Sequence, residues 1–232
     1  MKKVLAYLQL IRAANIVTAI SNIWAGAVIA SSGGFIWDKV IIGSIASAAL
    51  YAGGVTLNNY CDRKADSVNY PKRPIPSGMI QAKTALILAV IWLVIGAGLG
   101  FFISRNAGII SCAIAISAVL YNISKHSTLA GLTFMGLCRG LNWVLGLIVG
   151  GITNKGLLFI PIAISLYIVL ITAISRQEEK SPSLRKLVKL GIVIIPLIDG
   201  AIVMSFGYYW PGFVIMALII PTIILGKIFE IT

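Results

Sequence analysis

The sequence predicts an all-α protein, a polytopic transmembrane bundle of about eight helices. Three observations support this prediction: 59% of the 232 residues are hydrophobic, only 11% are charged, and the mean hydropathy is +0.97. Soluble domains contain about 45–50% apolar and about 25% charged residues. The composition therefore excludes a water-soluble globular protein, a disordered chain and a collagen-like rod.

Eight apolar segments are long enough to cross a bilayer, since a membrane-spanning helix needs about 20 apolar residues. Gly, Pro, Asn or charged residues separate consecutive segments, as is typical where helices end. The predicted spans cover residues 12–30, 39–58, 84–104, 107–124, 128–152, 156–174, 187–206 and 209–229.

The 19 basic residues are distributed unevenly between the two sides of these spans. Fifteen fall on the side that holds the N-terminus, three fall on the opposite side, and Arg139 lies inside the fifth span. Cytoplasmic loops of membrane proteins are rich in Lys and Arg, so we expect both termini in the cytoplasm, as in a bacterial-type inner membrane. This bias also explains the net charge of +12 without a nucleic-acid partner.

Two connections on the expected cytoplasmic side, residues 59–83 and 175–186, contain four of the seven acidic residues. The first is an Asp-rich segment, and the second mixes acidic and basic residues. Because charged side chains of both signs gather here at one membrane surface, we expect the functional site at this end of the bundle.

The Asp-rich segment should begin as a helix, because no Gly or Pro interrupts the chain between Val55 and Asp66. Asn58, Asp62 and Asp66 follow one another at four-residue spacing, so their side chains share one helix face. Two aspartates at this spacing repel each other, and the helix dipole disfavours anions at a C-terminal end. A Mg²⁺ ion would offset both effects, since one or two carboxylates and substrate phosphate oxygens typically hold it.

The alternative is a solvated helix end in which Arg63, Lys64 or Lys72 pairs with the aspartates. The next segment favours a metal site, because three prolines keep residues 69–78 from forming a helix. This stiff loop can return Lys72 and Arg73 towards the carboxylates. Acidic groups opposite a guanidinium group are well suited to binding a metal-bound phosphate.

The stretch Asn58-x₃-Asp62-x₃-Asp66, followed by Asn69 and by Arg-Pro-Ile-Pro-Ser-Gly at 73–78, closely resembles the first signature of the UbiA-type intramembrane prenyltransferases. Three further segments resemble that family. They are Leu10–Asn15 at the start of the first span, Tyr121-x₃-Lys125 at the end of the fourth, and Arg176–Glu179 at the place of a second Asp-rich motif. The beginning of the chain and residues 188–232 also resemble the UbiA-like proteins of bacterial ebo gene clusters.

The resemblance implies one transmembrane prenyltransferase-like domain over residues 1–232. It implies Mg²⁺-dependent transfer of a prenyl group from an isoprenoid diphosphate to an acceptor that the sequence does not identify, with membrane lipid as a further partner. The implied metal ligands are Asn58, Asp62, Asp66 and Glu179. The implied diphosphate-binding residues are Lys72, Arg73, Lys125 and Arg176. The implied catalytic residues are Asp62, Asp66, Tyr121 and Lys125, with the Tyr121 ring stabilising an allylic cation.

The sequence departs from the family pattern in two places. The second motif is commonly Asp-x₃-Asp, whereas the same spacing here gives Ser175 and Glu179. The family also commonly has nine spans, one more than we predict. Ser175 in place of an acidic residue favours an alternative function, that of a non-catalytic isoprenoid-binding or lipid-binding carrier with the same fold.

Two charged residues are predicted deep in the membrane. Arg139 and Asp199 each lie about 12 residues, or about 18 Å, from the cytoplasmic end of their spans. Because a charge at this depth usually faces a partner or a cavity, we predict that they pair, either directly or through Asn142. We expect Arg139, Asn142 and Asp199 to line a cavity together with Asn15 and Asn22. The alternative is that Arg139 and Asp199 form a buried ion pair that fixes helix register.

The same two charges suggest a second alternative, a small secondary transporter that uses Arg139 and Asp199. Transporters of this kind often contain inverted repeats and paired interrupted spans. The sequence shows no inverted repeat and no pair of interrupted spans, which counts against this function.

Overall fold

The computed structural model describes residues 2–125, 127–177 and 181–228. Within these ranges the regular elements are helices and no strand occurs, as the sequence predicts. The helices are α1 (Lys2–Leu10), α2 (Ala13–Ala30), α3 (Trp37–Asn69), α4 (Ala82–Ile103), α5 (Arg105–Ser124), α6 (Thr128–Val149), α7 (Phe159–Ser175), α8 (Pro182–Val193), α9 (Ile195–Ser205), α10 (Tyr209–Ala217) and α11 (Ile219–Ile228). A short 3₁₀ helix, Lys155–Leu158, leads into α7.

The number of membrane-spanning segments agrees with the prediction of about eight. In the described part of the chain, seven segments are long and apolar enough to cross a membrane. An eighth is present if α8 and α9 together form one span. The all-α transmembrane fold class is therefore confirmed.

Two predicted spans are not continuous helices, although the sequence showed no pair of interrupted spans. The segment 187–206 is broken at Ile194, where α8 and α9 are bent by 43°. Proline explains this break and the one at Leu218, since Pro196 and Pro221 have no N–H to continue the hydrogen bonding of the preceding helix.

The helix α3 extends well beyond the thickness of a bilayer. It has 33 residues and is therefore about 50 Å long, against a hydrocarbon core of about 30 Å. Its last turns carry Asn58, Asp62 and Asp66, so the predicted continuation of this helix past the apolar segment is confirmed. It ends before Pro71, because the residue before a proline disfavours the helical conformation.

The first connection, 59–83, thus divides into the end of α3 and a loop over residues 70–81. A backbone hydrogen bond of 3.0 Å from Ile80 to the Pro74 carbonyl closes this loop. Ile80 is buried with Ala6 and Leu10 of α1 in one hydrophobic cluster, against which Ile75 packs. The loop is therefore anchored on the N-terminal helix.

At the opposite end of α3, three aromatic rings pack together. Phe35 stacks on Trp37 with 4.7 Å between ring centroids, and Trp24 of α2 meets both rings edge-on. The Trp24 indole also donates a 3.0 Å hydrogen bond to Ser44 on α3. This cluster holds the far end of α3 against α2.

The central helix α2 approaches α6 very closely. A Cβ atom at Gly26 would lie only 2.7 Å from the backbone nitrogen of Leu147, and one at Gly146 only 2.8 Å from the carbonyl oxygen of Asn22. Glycine is needed at both positions, because any side chain would push the two backbones apart. This close approach brings polar side chains of α2 within hydrogen-bonding distance of α6.

Candidate active site

Asn58 and Asp62 on α3 share one cationic partner. The Lys125 ammonium group lies 3.2 Å from the Asn58 amide oxygen and forms an ion pair with the Asp62 carboxylate. Lys125 immediately follows α5, which packs along α3. Two positions separated by more than 60 residues in the sequence thus meet at the Asp-rich end of the bundle.

Asp66, one turn further along α3, has a different cationic partner. Its carboxylate is 2.7 Å from the Arg73 guanidinium nitrogen, and only 5% of the residue is exposed. The Arg73 guanidinium also lies 4.0 Å from the centroid of the Tyr70 ring. The loop therefore brings Arg73 back to the carboxylates.

The alternative partners for the aspartates do not pair with them in the described part of the chain. The Arg63 guanidinium donates a 2.7 Å hydrogen bond to the Tyr60 carbonyl and lies over the Tyr60 ring. Lys64 and Lys72 are exposed, and within residues 2–125, 127–177 and 181–228 the only ion pairs are Arg73–Asp66 and Lys125–Asp62. Lys72 instead lines a cleft beside the loop.

Tyr121 lies one turn before Lys125 on α5. Its hydroxyl group interacts electrostatically with Asp62, Arg12 and Arg176. The Arg176 guanidinium donates hydrogen bonds of 3.1 and 3.3 Å to the carbonyl oxygens of Lys125 and Ser127. Arg176 therefore braces the turn that carries Lys125.

The second acidic motif is only partly visible. The predicted ligand Glu179 lies outside the described residues, so its position relative to Asp62 is not assigned. Ser175, which occupies the family's aspartate position, donates a 2.9 Å hydrogen bond to the Thr172 carbonyl. The Ser175 hydroxyl therefore forms a hydrogen bond within the last turn of α7.

The donor set at the end of α3 suits Mg²⁺. The amide oxygen of Asn58 and the carboxylate of Asp62 converge on one positive centre, which is the Lys125 ammonium group. Amide and carboxylate oxygens are also the ligands that Mg²⁺ prefers. In the described ranges no group of three or more His, Cys, Asp or Glu residues could hold a metal ion, so a candidate site must combine two carboxylates with an amide.

The deep charges Arg139 and Asp199 are connected by Asn22. The Asn22 amide donates a 2.7 Å hydrogen bond to Asp199, and its oxygen accepts a 3.0 Å hydrogen bond from Arg139. Ser21 and Trp143 also donate to Asp199, at 2.5 and 3.1 Å. The prediction of a direct pair, or of one through Asn142, is therefore wrong.

Asn142 has a separate role in the same interface. Its amide donates a 2.9 Å hydrogen bond to the Ala19 carbonyl, and its oxygen accepts one of 2.7 Å from Ser47. A second, longer contact of 3.4 Å reaches Asn22. Asn142 thus joins α6 to α2 and α3.

The predicted cavity-lining residues separate into two groups. Four of them are at most 6% exposed and fill helix interfaces. They are Asn15, Asn22, Asn142 and Asp199. Arg139 is partly exposed, and its guanidinium group lies 5.8 Å from the centroid of the Tyr51 ring. Tyr51 and Asp62 are eleven residues apart on α3, so their side chains share one helix face.

Sequence reasoning missed the bridging role of Asn22, although a signal was present. Asn15, Thr18 and Asn22 follow the three- and four-residue spacing that places side chains on one helix face. Arg139 hydrogen-bonds to the carbonyl and hydroxyl oxygens of Thr18 as well as to Asn22. The polar face of α2 therefore serves as the partner surface for Arg139.

Two clefts flank the helix α1. The first, which we call the basic cleft, has a volume of about 430 Å³. It is lined by Gln9, Arg12, Asn59, Asn69, Tyr70, Pro71, Lys72, Arg73 and Pro74. The second, the apolar cleft, has a volume of about 330 Å³. It is lined by Tyr7, Leu8, Leu10, Ile11, Thr56, Thr84, Leu88 and Trp92.

Comparison with known proteins gives a consistent family assignment. Residues 19–230 match the family described as the UbiA prenyltransferase family. Among curated relatives, the digeranylgeranylglyceryl phosphate synthase of Ignicoccus hospitalis is 38% identical over 126 residues, covering 54% of this chain and 41% of its own length. The enzyme of the same name from Methanosphaera stadtmanae is 30% identical over 152 residues, covering 65% and 54%. The chain thus spans about half the length of these relatives.

Solved structures share the fold along nearly the whole chain. A structure of digeranylgeranylglyceryl phosphate synthase has a TM-score of 0.69 at 20% identity and covers 97% of this chain and 96% of its own. A UbiA homologue from Archaeoglobus fulgidus, bound to DMAPP and Mg²⁺, has a TM-score of 0.67 at 14% identity and covers 95% and 99%.

Proposed function

The chain belongs to the UbiA prenyltransferase family and is an integral membrane protein, and on this premise we propose that it transfers a prenyl group from an isoprenoid diphosphate to a lipid acceptor. The observation that carries the proposal is the convergence of Asn58, Asp62 and Lys125, with the Arg73–Asp66 ion pair beside it. Oxygen atoms that can bind a metal ion lie here next to Lys and Arg side chains that can bind phosphate. This arrangement suits a metal-bound diphosphate.

The cofactor in this proposal is Mg²⁺, held by Asn58, Asp62 and Asp66, with Glu179 as a further ligand expected from the sequence. When bound, Mg²⁺ neutralises negative charge that develops on the departing diphosphate. The Archaeoglobus fulgidus homologue, which binds DMAPP and Mg²⁺ on the same fold, supports this assignment.

Lys125 and Arg73 would exchange partners when the donor binds. Each now pairs with a carboxylate, and each can instead donate hydrogen bonds to diphosphate oxygens. Arg176 would keep Lys125 in place through the backbone carbonyls of the turn. Lys72, exposed on the same loop, would add positive charge that attracts the diphosphate.

The transfer breaks the bond between prenyl C1 and the diphosphate oxygen, and the electron pair leaves with the diphosphate. The Tyr121 ring, one turn before Lys125, would stabilise the allylic cation. An acceptor hydroxyl oxygen then forms the new bond to C1 and gives its proton to the departing diphosphate. Water must be excluded at this stage, because it would compete for the cation.

The acceptor that we propose is the hydroxyl group of a glycerophosphate-type lipid. Support comes from the curated relatives, which are named digeranylgeranylglyceryl phosphate synthases. We also propose that the Asp-rich end faces the cytoplasm, because the Lys and Arg residues of the chain are concentrated there.

The test is an assay of the full chain in liposomes with labelled geranylgeranyl diphosphate and Mg²⁺. Geranylgeranylglyceryl phosphate should give labelled lipid product, whereas 4-hydroxybenzoate should not. If the donor protects the protein against heat but no acceptor is prenylated, the protein is a carrier. One observation favours that second candidate: Ser175 stands at an aspartate position and its hydroxyl is bonded to Thr172.

A further inference from the structure

We infer that the two clefts flanking α1 form one binding site for a single-chain lipid phosphate, with the phosphate in the basic cleft and the hydrocarbon chain in the apolar cleft. This inference rests on the proposed function, because it assigns the place at which the lipid acceptor binds. It adds a substrate site on the side of α3 that faces α1 and α4.

The basic cleft has the charge to hold a phosphate. Arg12, Lys72 and Arg73 all line it, and of these Arg73 is paired with Asp66. Among the residues that the structure describes, the side chains of Arg12 and Lys72 have no hydrogen bond or ion pair. Two cationic side chains are thus available to bind an anion in a cleft whose lining, among the described residues, contains no acidic residue.

Arg12 also stands at the start of a helix. It is the N-cap residue of α2, in the left-handed conformation with φ of 47°, and its own side chain makes no capping hydrogen bond. The first turn of α2 contains no acidic residue. The partial positive charge of the α2 N-terminus therefore adds to that of the guanidinium group.

The apolar cleft has the composition needed for a hydrocarbon chain. Leu88 and Trp92 of α4 form one wall, and α1 forms the other. Between them lies Thr56 of α3, which is fully buried and whose hydroxyl finds no hydrogen-bond partner in the described part of the chain. A buried hydroxyl without a partner costs free energy, and a glycerol oxygen between the phosphate and the chain would supply that partner.

The linings of the two clefts meet where α3 contacts the end of α1. The Asn59 amide donates a 2.8 Å hydrogen bond to the Leu10 carbonyl, and Asn59 lines the basic cleft while Leu10 lines the apolar one. Thr56 lies about one helical turn from Asn59 along α3. In the proposed site, one lipid molecule would place its phosphate in the basic cleft, its glycerol oxygen at Thr56 and its chain in the apolar cleft.

The site also lies beside the donor site. Arg12 and Arg73 both line the basic cleft, and Arg73 pairs with Asp66, one turn along α3 from Asp62. Asn58 and Asn59 point about 100° apart around α3, so the two ligands would occupy adjacent sides of one helix. A phosphate held by Arg12 thus brings the rest of its lipid close to the reacting carbon.

The experiment measures binding of 1-oleoylglycerol 3-phosphate to the full chain in detergent. Arg12→Gln should weaken binding roughly tenfold, because it removes a charge-assisted hydrogen bond. Thr84→Trp should also weaken it, by filling the apolar cleft. The controls are Arg12→Lys, which keeps the charge, Lys64→Gln, an exposed cation outside both clefts, and Ile87→Trp, an exposed position on α4. These three variants should bind normally.

Two further probes separate the parts of the ligand. Inorganic phosphate and 1-oleoylglycerol should each bind much more weakly than the complete lipid phosphate. Equal binding of inorganic phosphate would show a simple anion site, and equal binding of 1-oleoylglycerol would show annular lipid; either result overturns the inference. Normal binding by both Arg12→Gln and Thr84→Trp would overturn it as well.

The donor supplies a separate readout. In Thr84→Trp, heat protection by geranylgeranyl diphosphate with Mg²⁺ should remain as in the unmodified protein, which also shows that the variant folds. If geranylgeranyl diphosphate does not protect the unmodified protein against heat, the proposed function is contradicted. The binding of the lipid phosphate is then judged from its own measurement.

Discussion

The Lys125 ammonium group and the Asp62 carboxylate form an ion pair across 63 residues of sequence. Their side chains are only 10% and 30% exposed, so neither charge is fully hydrated. A metal ion would need the Asp62 carboxylate as a ligand, and a diphosphate would need the Lys125 ammonium group. Binding of the donor therefore requires this ion pair to separate.

Replacing Asp62 by Asn should abolish prenyl transfer. The change keeps the shape of the side chain but removes the negative charge that would bind Mg²⁺, and we expect a loss of roughly a hundredfold or more. The measurement is initial rate with labelled geranylgeranyl diphosphate. Asp38→Asn, at the other end of α3, is the matched control and should retain full activity; equal rates in both variants would exclude this site.

Replacing Lys125 by Met should have opposite effects on the metal and on the donor. Without the competing ammonium group, Asn58 and Asp62 should bind Mg²⁺ alone more tightly, by roughly tenfold. The diphosphate should bind more weakly, because one cationic donor is missing. Titration calorimetry with each ligand checks both signs, and weaker binding of Mg²⁺ would contradict the competition.

Removal of divalent cations should abolish heat protection by the donor. After treatment with EDTA, geranylgeranyl diphosphate should no longer raise the melting temperature, since the carboxylates would repel it. Addition of Mg²⁺ should restore the shift, and Asp66→Asn should reduce it. Protection that persists in EDTA would show that Lys125 and Arg73 suffice for binding.

Replacing Asn22 by Leu should destabilise the bundle. It removes the shared partner of the buried Asp199 and the partly exposed Arg139 and leaves both charges with fewer hydrogen bonds, at a cost of about 3–5 kcal/mol. Unfolding in detergent measures this loss. Gln177→Leu, on an exposed turn, is the control. An unchanged unfolding free energy in Asn22→Leu would mean that the network does not hold the helices.

Replacing Gly26 by Ala should separate α2 from α6. The new methyl group would lie 2.7 Å from the Leu147 nitrogen, so one backbone must move. Gly98→Ala on α4 is the control, because its Cβ meets no atom within 4 Å. We expect a lower melting temperature for Gly26→Ala and an unchanged or slightly higher one for Gly98→Ala.

The helices and the spacing of the Asp-rich face could be predicted, because both depend on local sequence. Apolar segments of sufficient length indicate spans, and a four-residue repeat fixes the common direction of Asn58 and Asp62. The motif that resembles the family also indicated Lys125 as part of the site. Its ion pair with Asp62 agrees with that expectation, whereas the catalytic roles stay predictions.

The choice of partners inside the bundle could not be predicted. Arg139 binds Asn22 across 117 residues, and this contact depends on how closely α2 and α6 approach at their glycines. The break at Ile194 was missed for a different reason. A proline is compatible with a transmembrane helix as well as with a bend, so Pro196 alone does not decide between them.

Because α3 is one continuous helix, a change in its tilt at one end moves the residues at its other end. About 37 Å separate Trp37, held in its aromatic cluster, from Asp62 at the other end. A change of about 5° in tilt would displace the carboxylate by about 3 Å, the length of one hydrogen bond. Bilayer thickness, which influences the tilt of long helices, would thereby affect the position of this carboxylate.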